Sequence, residues 1–290
     1  MPYRVPEIQH LKNILYLDNI ELNTVIVGWW RNGTNKLGNF LSERGLHYLN
    51  EPYSELTTLK FNLRKELSNV PTATQEENIS RMFEVFLYKQ VFNSTAPVCI
   101  KLMLPHIYEP FTRQATINRL FFYNCFSTSL VLFRKSPLDA AVSNIIAQKS
   151  GIWTYEAVAN TNNTKVDIKK LPIDVSKFRH ELEWMHNAWA EYIYISIAVT
   201  KNPSIWLTYE DDILPLEVVT SKPMRDKKEV VSNWDELVDI YEKESKSYFD
   251  ALTIEVMKRR EATKDAWLKY LEKLNKWDKE HPRTLRTNYF

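Results

Sequence analysis

The chain has 290 residues, of which 44% are hydrophobic and 26% are charged, a composition typical of globular proteins. Its 38 lysines and arginines nearly balance 36 aspartates and glutamates, so the net charge of +2 gives no reason to expect a nucleic-acid partner. The first ten residues lack the apolar segment of a signal peptide, and the longest apolar run, residues 192–199, is far shorter than a membrane span. We therefore expect a soluble, cytoplasmic protein without a membrane partner.

Four short apolar runs predict buried β-strands, at residues 24–30, 97–104, 128–134 and 204–209. Their near-continuous apolar character is typical of strands that are covered on both faces. Helical patterns lie between them, at residues 37–45, 78–92, 136–150 and 175–200. Strands that alternate with helices predict a doubly wound α/β protein with a parallel sheet flanked by helices.

Two of these helices carry clear start signals. Thr74 and Glu77 form a capping box before residues 78–92. Ser136 is followed by a proline and then by Asp139 in the first turn, which predicts that a helix begins there. That helix should run to about residue 150, because a glycine follows.

Beyond about residue 220 the charge density rises and the pattern becomes helical. Aromatic and leucine residues recur at helical spacing along one stripe: Trp267, Tyr270, Leu271, Leu274 and Trp277. The stripe predicts a C-terminal helical extension that packs on the core, with a homodimer contact as the alternative. We expect one α/β domain over residues 1–290, with its core at about 20–215 and the extension at about 220–290.

The two cysteines, Cys99 and Cys125, lie in apolar surroundings. Neither a CxxC motif nor a cysteine–histidine cluster accompanies them, so the sequence predicts buried free thiols. It predicts no metal site.

The chain has only five glycines, and four of them lie between residues 28 and 45. The first predicted strand runs into the segment Arg31, Asn32, Gly33, Thr34 and Asn35, after which a helical pattern begins. A strand, a glycine turn and a helix form a phosphate cradle, because the N–H groups at the helix start point at the anion. The spacing of Gly28 and Gly33 resembles a Walker A loop, but Thr34 replaces its lysine, which disfavours an ATPase or GTPase. A purely structural turn is the alternative.

Residues 31–35 resemble the 5′-phosphosulfate loop of sulfotransferases, which have a P-loop-like α/β fold and use 3′-phosphoadenosine 5′-phosphosulfate (PAPS). Five further segments resemble motifs of this superfamily in the same order, at residues 45–52, 100–105, 133–143, 148–153 and 207–211. The first and fourth of these are most similar to the bacterial trehalose-sulfotransferase type. The resemblance covers residues 24–213 and implies transfer of a sulfuryl group to a hydroxyl of a carbohydrate or other small acceptor.

The resemblance also implies a binding role for individual residues. The loop at residues 31–35 would hold the phosphosulfate, and either Arg134 or Lys135 would bind the 3′-phosphate together with Ser143. The glycine-rich C-terminal loop that binds this phosphate in cytosolic members has no counterpart, since no glycine follows residue 151. Lys101 would be a further cation. A lysine inside a buried strand is costly without an anionic partner, although an edge strand would let it reach solvent.

A catalytic base is needed as well, because the acceptor hydroxyl must lose its proton. The histidine of cytosolic sulfotransferases is Met103 here, and the trehalose type implies that Glu51 is the base instead. His47 and His106 are rival bases. A P-loop kinase that uses ATP and a non-catalytic nucleotide-binding protein are the alternative functions, and Tyr209 and Glu210 are interpreted as structural supports.

Overall fold

The computed structural model describes residues 22–50, 96–104, 126–150, 171–199, 204–218 and 227–281. Within these ranges the chain forms an α/β structure with one five-stranded sheet, and every strand pair is parallel. The strands are β1 (Thr24–Gly28), β2 (His47–Leu49), β3 (Val98–Met103), β4 (Thr128–Phe133) and β5 (Ser204–Thr208). Their order across the sheet is β2-β3-β1-β4-β5.

Six α-helices and two π-helical turns accompany the sheet in the described part of the chain. The helices are α1 (Thr34–Glu43), α2 (Pro137–Ser150), α3 (Val175–Val199), α4 (Lys227–Val230), α5 (Trp234–Ile240) and α6 (Lys246–Glu280). The π-helical turns are Tyr209–Ile213, directly after β5, and Tyr241–Ser245, directly before α6.

Both faces of the sheet are buried, as the apolar strand patterns predict. Residues such as Val25 and Val27 of β1 pack with α2 and α3 on one face. The residue between them, Ile26, packs on the other face with α1 and with the C-terminal half of α6. Side chains of successive strand residues point to opposite faces, so a strand covered on both sides must be apolar throughout.

The C-terminal stripe packs on the core. Trp267, Tyr270 and Leu274 of α6 are buried in the cluster that also contains Ile26 and Cys99. Cys99 is a free thiol whose pKa is raised by burial. Cys125 and the predicted helix at residues 78–92 lie outside the described residues. Among the helices of the described ranges, none is both long and apolar enough to cross a bilayer.

Strand order decides where a ligand would bind. The chain leaves the carboxyl end of β1 toward β2, on one side of the sheet, and leaves the carboxyl end of β4 toward β5, on the other side. Because these two connections diverge, a crevice opens between the carboxyl ends of β1 and β4. The segments after Gly28 and Phe133 therefore border the position at which open α/β sheets bind their ligands.

Candidate anion-binding site

The turn after β1 has the backbone geometry of a tight loop at a helix start. Arg31 has a φ of 66° and Gly33 a φ of 84°, both in the left-handed region that disfavours side chains. The N–H of Asn32 donates to the oxygen of Trp29 at 3.3 Å and closes the turn. Gly33 is the N-cap of α1, and no side chain caps this helix end. Its first N–H groups are therefore directed at the carboxyl edge of the sheet.

Position 33 requires glycine for two reasons, its left-handed backbone and its close contact with the segment after β5. A Cβ atom at Gly33 would lie 2.2 Å from the ring of Tyr209, so only glycine lets the ring lie against the turn. Gly38, one turn into α1, similarly admits the ring of Tyr48. The glycine cluster in the sequence thus marks close approaches around the loop.

Asn32 fixes the loop to β4. Its side chain is 1% exposed, and its amide nitrogen donates to the oxygen of Leu132 at 3.2 Å. Thr34, at the position of the Walker A lysine, is also buried. The two side chains thus face into the fold and anchor the loop, whereas Arg31 between β1 and Asn32 is exposed.

Arg134, the first residue after β4, lies across the crevice from this loop. Its side chain is 5% exposed, and its Nη1 donates to the backbone oxygen of Arg31 at 2.9 Å. The guanidinium carbon lies 5.2 Å from the centre of the Tyr209 ring. Asp139 and Glu210 place carboxylate oxygens 3.7 and 4.0 Å from its nitrogens, which compensates part of the cost of burying the charge.

Lys135 is directed elsewhere. Its Nζ lies 2.7 Å from Oδ1 of Asp211, and this hydrogen bond is the largest cause of the lowered pKa of Asp211. The backbone N–H groups of Lys135 and Ser136 both donate to the carboxylate of Glu210, at 3.0 and 3.3 Å. Glu210 therefore supports the start of α2. Of the two predicted phosphate ligands, Arg134 contacts the loop and Lys135 does not.

Ser143 is buried on α2, four residues after Asp139. Residues four apart lie on the same helix face, so Ser143 lies one turn beyond Asp139, the carboxylate that pairs with Arg134. The next residue, Asn144, is turned to α3, where it donates to Glu181 at 2.8 Å.

Lys101 lies in β3, which is flanked by β2 and β1 and is not an edge strand. Its side chain is 2% exposed, so the alternative of a lysine that reaches solvent is wrong. Its Nζ donates to Oδ1 of Asn35, in the first turn of α1. The structure therefore brings Lys101 beneath the helix start, next to a residue of the predicted phosphate loop.

Lys227 is a cation at the site that the sequence did not indicate. Burial lowers its pKa most, and the positive charges of Arg31 and Arg134 lower it further, while Asp139 opposes the shift. We call Arg31, Arg134 and Lys227 the cationic cluster. In the sequence Lys227 is one of two adjacent lysines in a charged stretch, without a glycine motif to mark it. The C-terminal region nevertheless reaches the crevice.

The segment that carries Lys227 is held in place by contacts with the residues that precede α3. Leu171 and Val231 form a parallel bridge, and the amide of Asn233 bonds both the N–H and the oxygen of Ile173, at 2.9 and 3.0 Å. Farther along, Arg260 of α6 donates to both oxygens of Asp212 at 2.6 and 2.7 Å, just after β5. The C-terminal extension is thus joined to the carboxyl edge of the sheet.

The rival base His47 lies at the edge of the sheet opposite the crevice. It is the first residue of β2 and pairs with Val98, the first residue of β3, so it lies at the amino end of the sheet. Burial lowers its pKa. Glu51 and His106 lie outside the described residues.

In the described ranges, histidine, cysteine, aspartate and glutamate do not gather in groups of three that could hold a metal ion. The fold and the site thus define an α/β protein with a cationic crevice at the carboxyl edge of a parallel sheet. Comparison with known proteins gives no match to a family model, a curated protein or a solved structure.

Proposed function

We propose that the crevice binds PAPS and that the chain is a sulfotransferase with a P-loop-like fold, which acts on a hydroxyl of a carbohydrate or another small acceptor. The observation that carries this proposal is the cationic cluster around a helix start that has no side-chain cap. The positive charges of Arg31 and Arg134 lower the pKa of Lys227, and a bound polyanion relieves this repulsion.

Two anionic groups fit the crevice better than one. The loop of residues 31–35 offers backbone N–H groups and the exposed Arg31 on the β1 side. Arg134 and Ser143 offer a second position on the β4 side, where Lys227 is also close. A nucleotide with a 5′-phosphosulfate and a 3′-phosphate has its two anionic groups at the two ends of one ribose, which matches this division.

Sulfuryl transfer places specific demands on the chain. The bound donor supplies an activated sulfuryl group: the acceptor oxygen bonds to sulfur, the bond from sulfur to the phosphate oxygen breaks, and adenosine 3′,5′-bisphosphate leaves. The chain must hold both partners in line and stabilise charge on the departing phosphate. Arg31 and the helix start would meet that charge, with Lys101 behind them. Glu51 is proposed to accept the acceptor proton.

Thr34 argues against the kinase alternative. It is buried at the position where a Walker A loop carries its phosphate-binding lysine, and the neighbouring Lys36 donates to the oxygen of Leu214 at 2.8 Å. In the described loop, Arg31 therefore takes the place of that lysine as the cation proposed to contact the ligand.

Titration calorimetry with adenosine 3′,5′-bisphosphate, AMP and Mg-ATP tests the proposal. We expect the bisphosphate to bind at least tenfold more tightly than AMP. Lys227→Ala should remove most of that difference, whereas Lys228→Ala, at the exposed neighbouring lysine, is the matched control and should retain it. Equal affinity for bisphosphate and AMP would contradict the two-anion site, and a preference for Mg-ATP would favour the kinase.

A further inference from the structure

We propose that Glu181 is a positioning residue that sets the distance between the two anion-binding positions. Glu181 lies on α3, is 4% exposed, and accepts two hydrogen bonds at Oε1. One comes from the indole nitrogen of Trp29 at 3.1 Å, and the other from the amide nitrogen of Asn144 at 2.8 Å. The ligand in this inference is taken from the proposed function, on which the inference rests to that extent. The hydrogen-exchange measurement that tests the anchor does not depend on that function.

The two donors belong to opposite sides of the crevice. Trp29 directly follows β1, and its own backbone oxygen accepts the bond that closes the turn around Arg31. Asn144 directly follows Ser143 on α2. One carboxylate oxygen therefore connects the loop proposed for the phosphosulfate with the helix that carries Ser143, the residue proposed for the 3′-phosphate.

The loop needs such an anchor. Arg31 has a left-handed backbone, a conformation that persists only where the surroundings hold it. Arg134 fixes the oxygen of Arg31 from the β4 side. Glu181 fixes the preceding Trp29, so the strained residue is held from both directions.

Burial of a carboxylate at this position is not explained by packing. Trp29 is fully buried and makes edge contacts with Trp30 and Trp184 at centroid distances of 5.4 and 5.1 Å. In such apolar surroundings a leucine or a glutamine would cost less free energy than a carboxylate. Loss of the acceptor would, however, leave the buried N–H groups of Trp29 and Asn144 without their partner.

A set of three variants tests the inference. Glu181→Leu removes the acceptor, Glu181→Gln keeps an oxygen in the same place, and Trp29→Phe removes one donor while it keeps an aromatic ring. We expect Glu181→Leu to weaken bisphosphate binding tenfold or more with little effect on AMP, and Glu181→Gln to restore it. Trp29→Phe should weaken binding less, and its effect should not add to that of Glu181→Leu.

Hydrogen exchange measured by mass spectrometry without ligand separates this inference from the proposed function. Glu181→Leu should speed exchange of the amides at residues 29–35, while the amides of α6 keep their protection. That result supports the anchor even if the bisphosphate does not bind to wild type. Unchanged exchange in residues 29–35 would overturn it, and so would a Glu181→Gln variant that behaves like Glu181→Leu. If Glu181→Leu does not fold, Trp29→Phe decides by the same exchange measurement.

Discussion

The guanidinium of Arg134 donates a hydrogen bond of 2.9 Å to the backbone oxygen of Arg31, so the residue after β4 holds the residue after β1. The bond spans the crevice at which the connections of the sheet diverge. It also places two positive charges near each other, with Lys227 close enough to be affected by both. Asp139 and Glu210 compensate part of the cost of holding these like charges together, and a bound anion would compensate more of it.

This contact predicts different results for the two adjacent cations after β4. Arg134→Lys should weaken bisphosphate binding by about tenfold or more, because an ammonium cannot hold the Arg31 oxygen and a phosphate with a planar fork. Lys135→Ala should change affinity less than threefold, because its ammonium is paired with Asp211. Calorimetric titration of both variants checks this. The reverse order of effects would assign the phosphate to Lys135.

Substitution of Arg31 should separate backbone strain from charge. Its φ of 66° costs a non-glycine residue free energy that glycine avoids, although glycine loses more entropy on folding. Arg31→Gly should therefore be more stable than Arg31→Ala by about 0.5–1 kcal/mol. Both variants should lose the same affinity for the bisphosphate, since both lose the guanidinium.

Urea unfolding of the two Arg31 variants measures the first effect, and ligand titration measures the second. Equal stability would mean that the left-handed backbone carries no strain in solution. A glycine variant that retains full affinity would mean that the Arg31 charge does not contact the ligand.

Much of the scaffold can be predicted from the sequence, because strands buried on both faces are continuously apolar. All four predicted strands are present, and Ser136, Pro137 and Asp139 correctly mark the start of α2. β2 was missed because it has three half-buried residues and no apolar run. Trp29 and Trp30 belong to the turn although they extend the apolar pattern of β1.

The site was predicted in part, and the remainder depends on contacts between distant residues. The glycine turn and Arg134 stood out by their position after strands. Lys227 and Glu181 did not, because a lysine in a charged stretch and a glutamate in an amphipathic helix look like solvent-exposed residues in a sequence. Only the fold brings Lys227 to Arg31 and buries Glu181 beside Trp29.

The lowered pKa of Lys227 predicts proton uptake on ligand binding. Burial and the two arginines make the folded chain hold this proton less tightly than an ordinary lysine, so deprotonation begins at a lower pH than for an ordinary lysine and the effect is sought at alkaline pH. A bound anion stabilises the charged form and raises the pKa again, so binding should draw a proton from solution. The phosphates of the ligand add nothing to this proton uptake at alkaline pH, because their last pKa is about 6.

Calorimetry in two buffers with different ionisation enthalpies measures this uptake. Lys227→Arg should abolish it, because a guanidinium stays charged, while Lys228→Arg should leave it unchanged. An observed binding enthalpy that is the same in both buffers for wild type would contradict the placement of Lys227 beside the ligand.

The buried Glu181 predicts a pH-dependent stability. Burial raises its pKa, and the hydrogen bonds from Asn144 and Trp29 offset only part of this shift. The unfolded chain therefore loses the proton first, at a pKa of about 4.3, while the folded chain still keeps it. Between that value and the raised pKa of the folded chain, stability should fall as pH rises, because the unfolded state binds fewer protons.

The comparison with Glu181→Gln isolates this effect, because the variant has no proton to lose. We expect the free energy of unfolding of Glu181→Gln minus that of wild type to increase as pH rises through this window. Above the window the difference should stay constant. Denaturant unfolding at several pH values measures the difference. A difference that does not change with pH would show that Glu181 titrates alike in both states.

Glu51 is the proposed base, and its test has an internal control in the fold. Met103, the last residue of β3, is buried and accepts no proton, so another group must take the proton of the acceptor hydroxyl. His47 lies at the amino end of the sheet, opposite the crevice, which makes His47→Ala the matched control.

Glu51→Gln should slow sulfuryl transfer by about a hundredfold or more, the range for loss of a general base, and should leave bisphosphate affinity unchanged. Single-turnover transfer from labelled PAPS to a panel of carbohydrate acceptors measures the rate, with His47→Ala expected to match wild type. If Glu51→Gln matches wild type while His106→Ala is inactive, the base is His106.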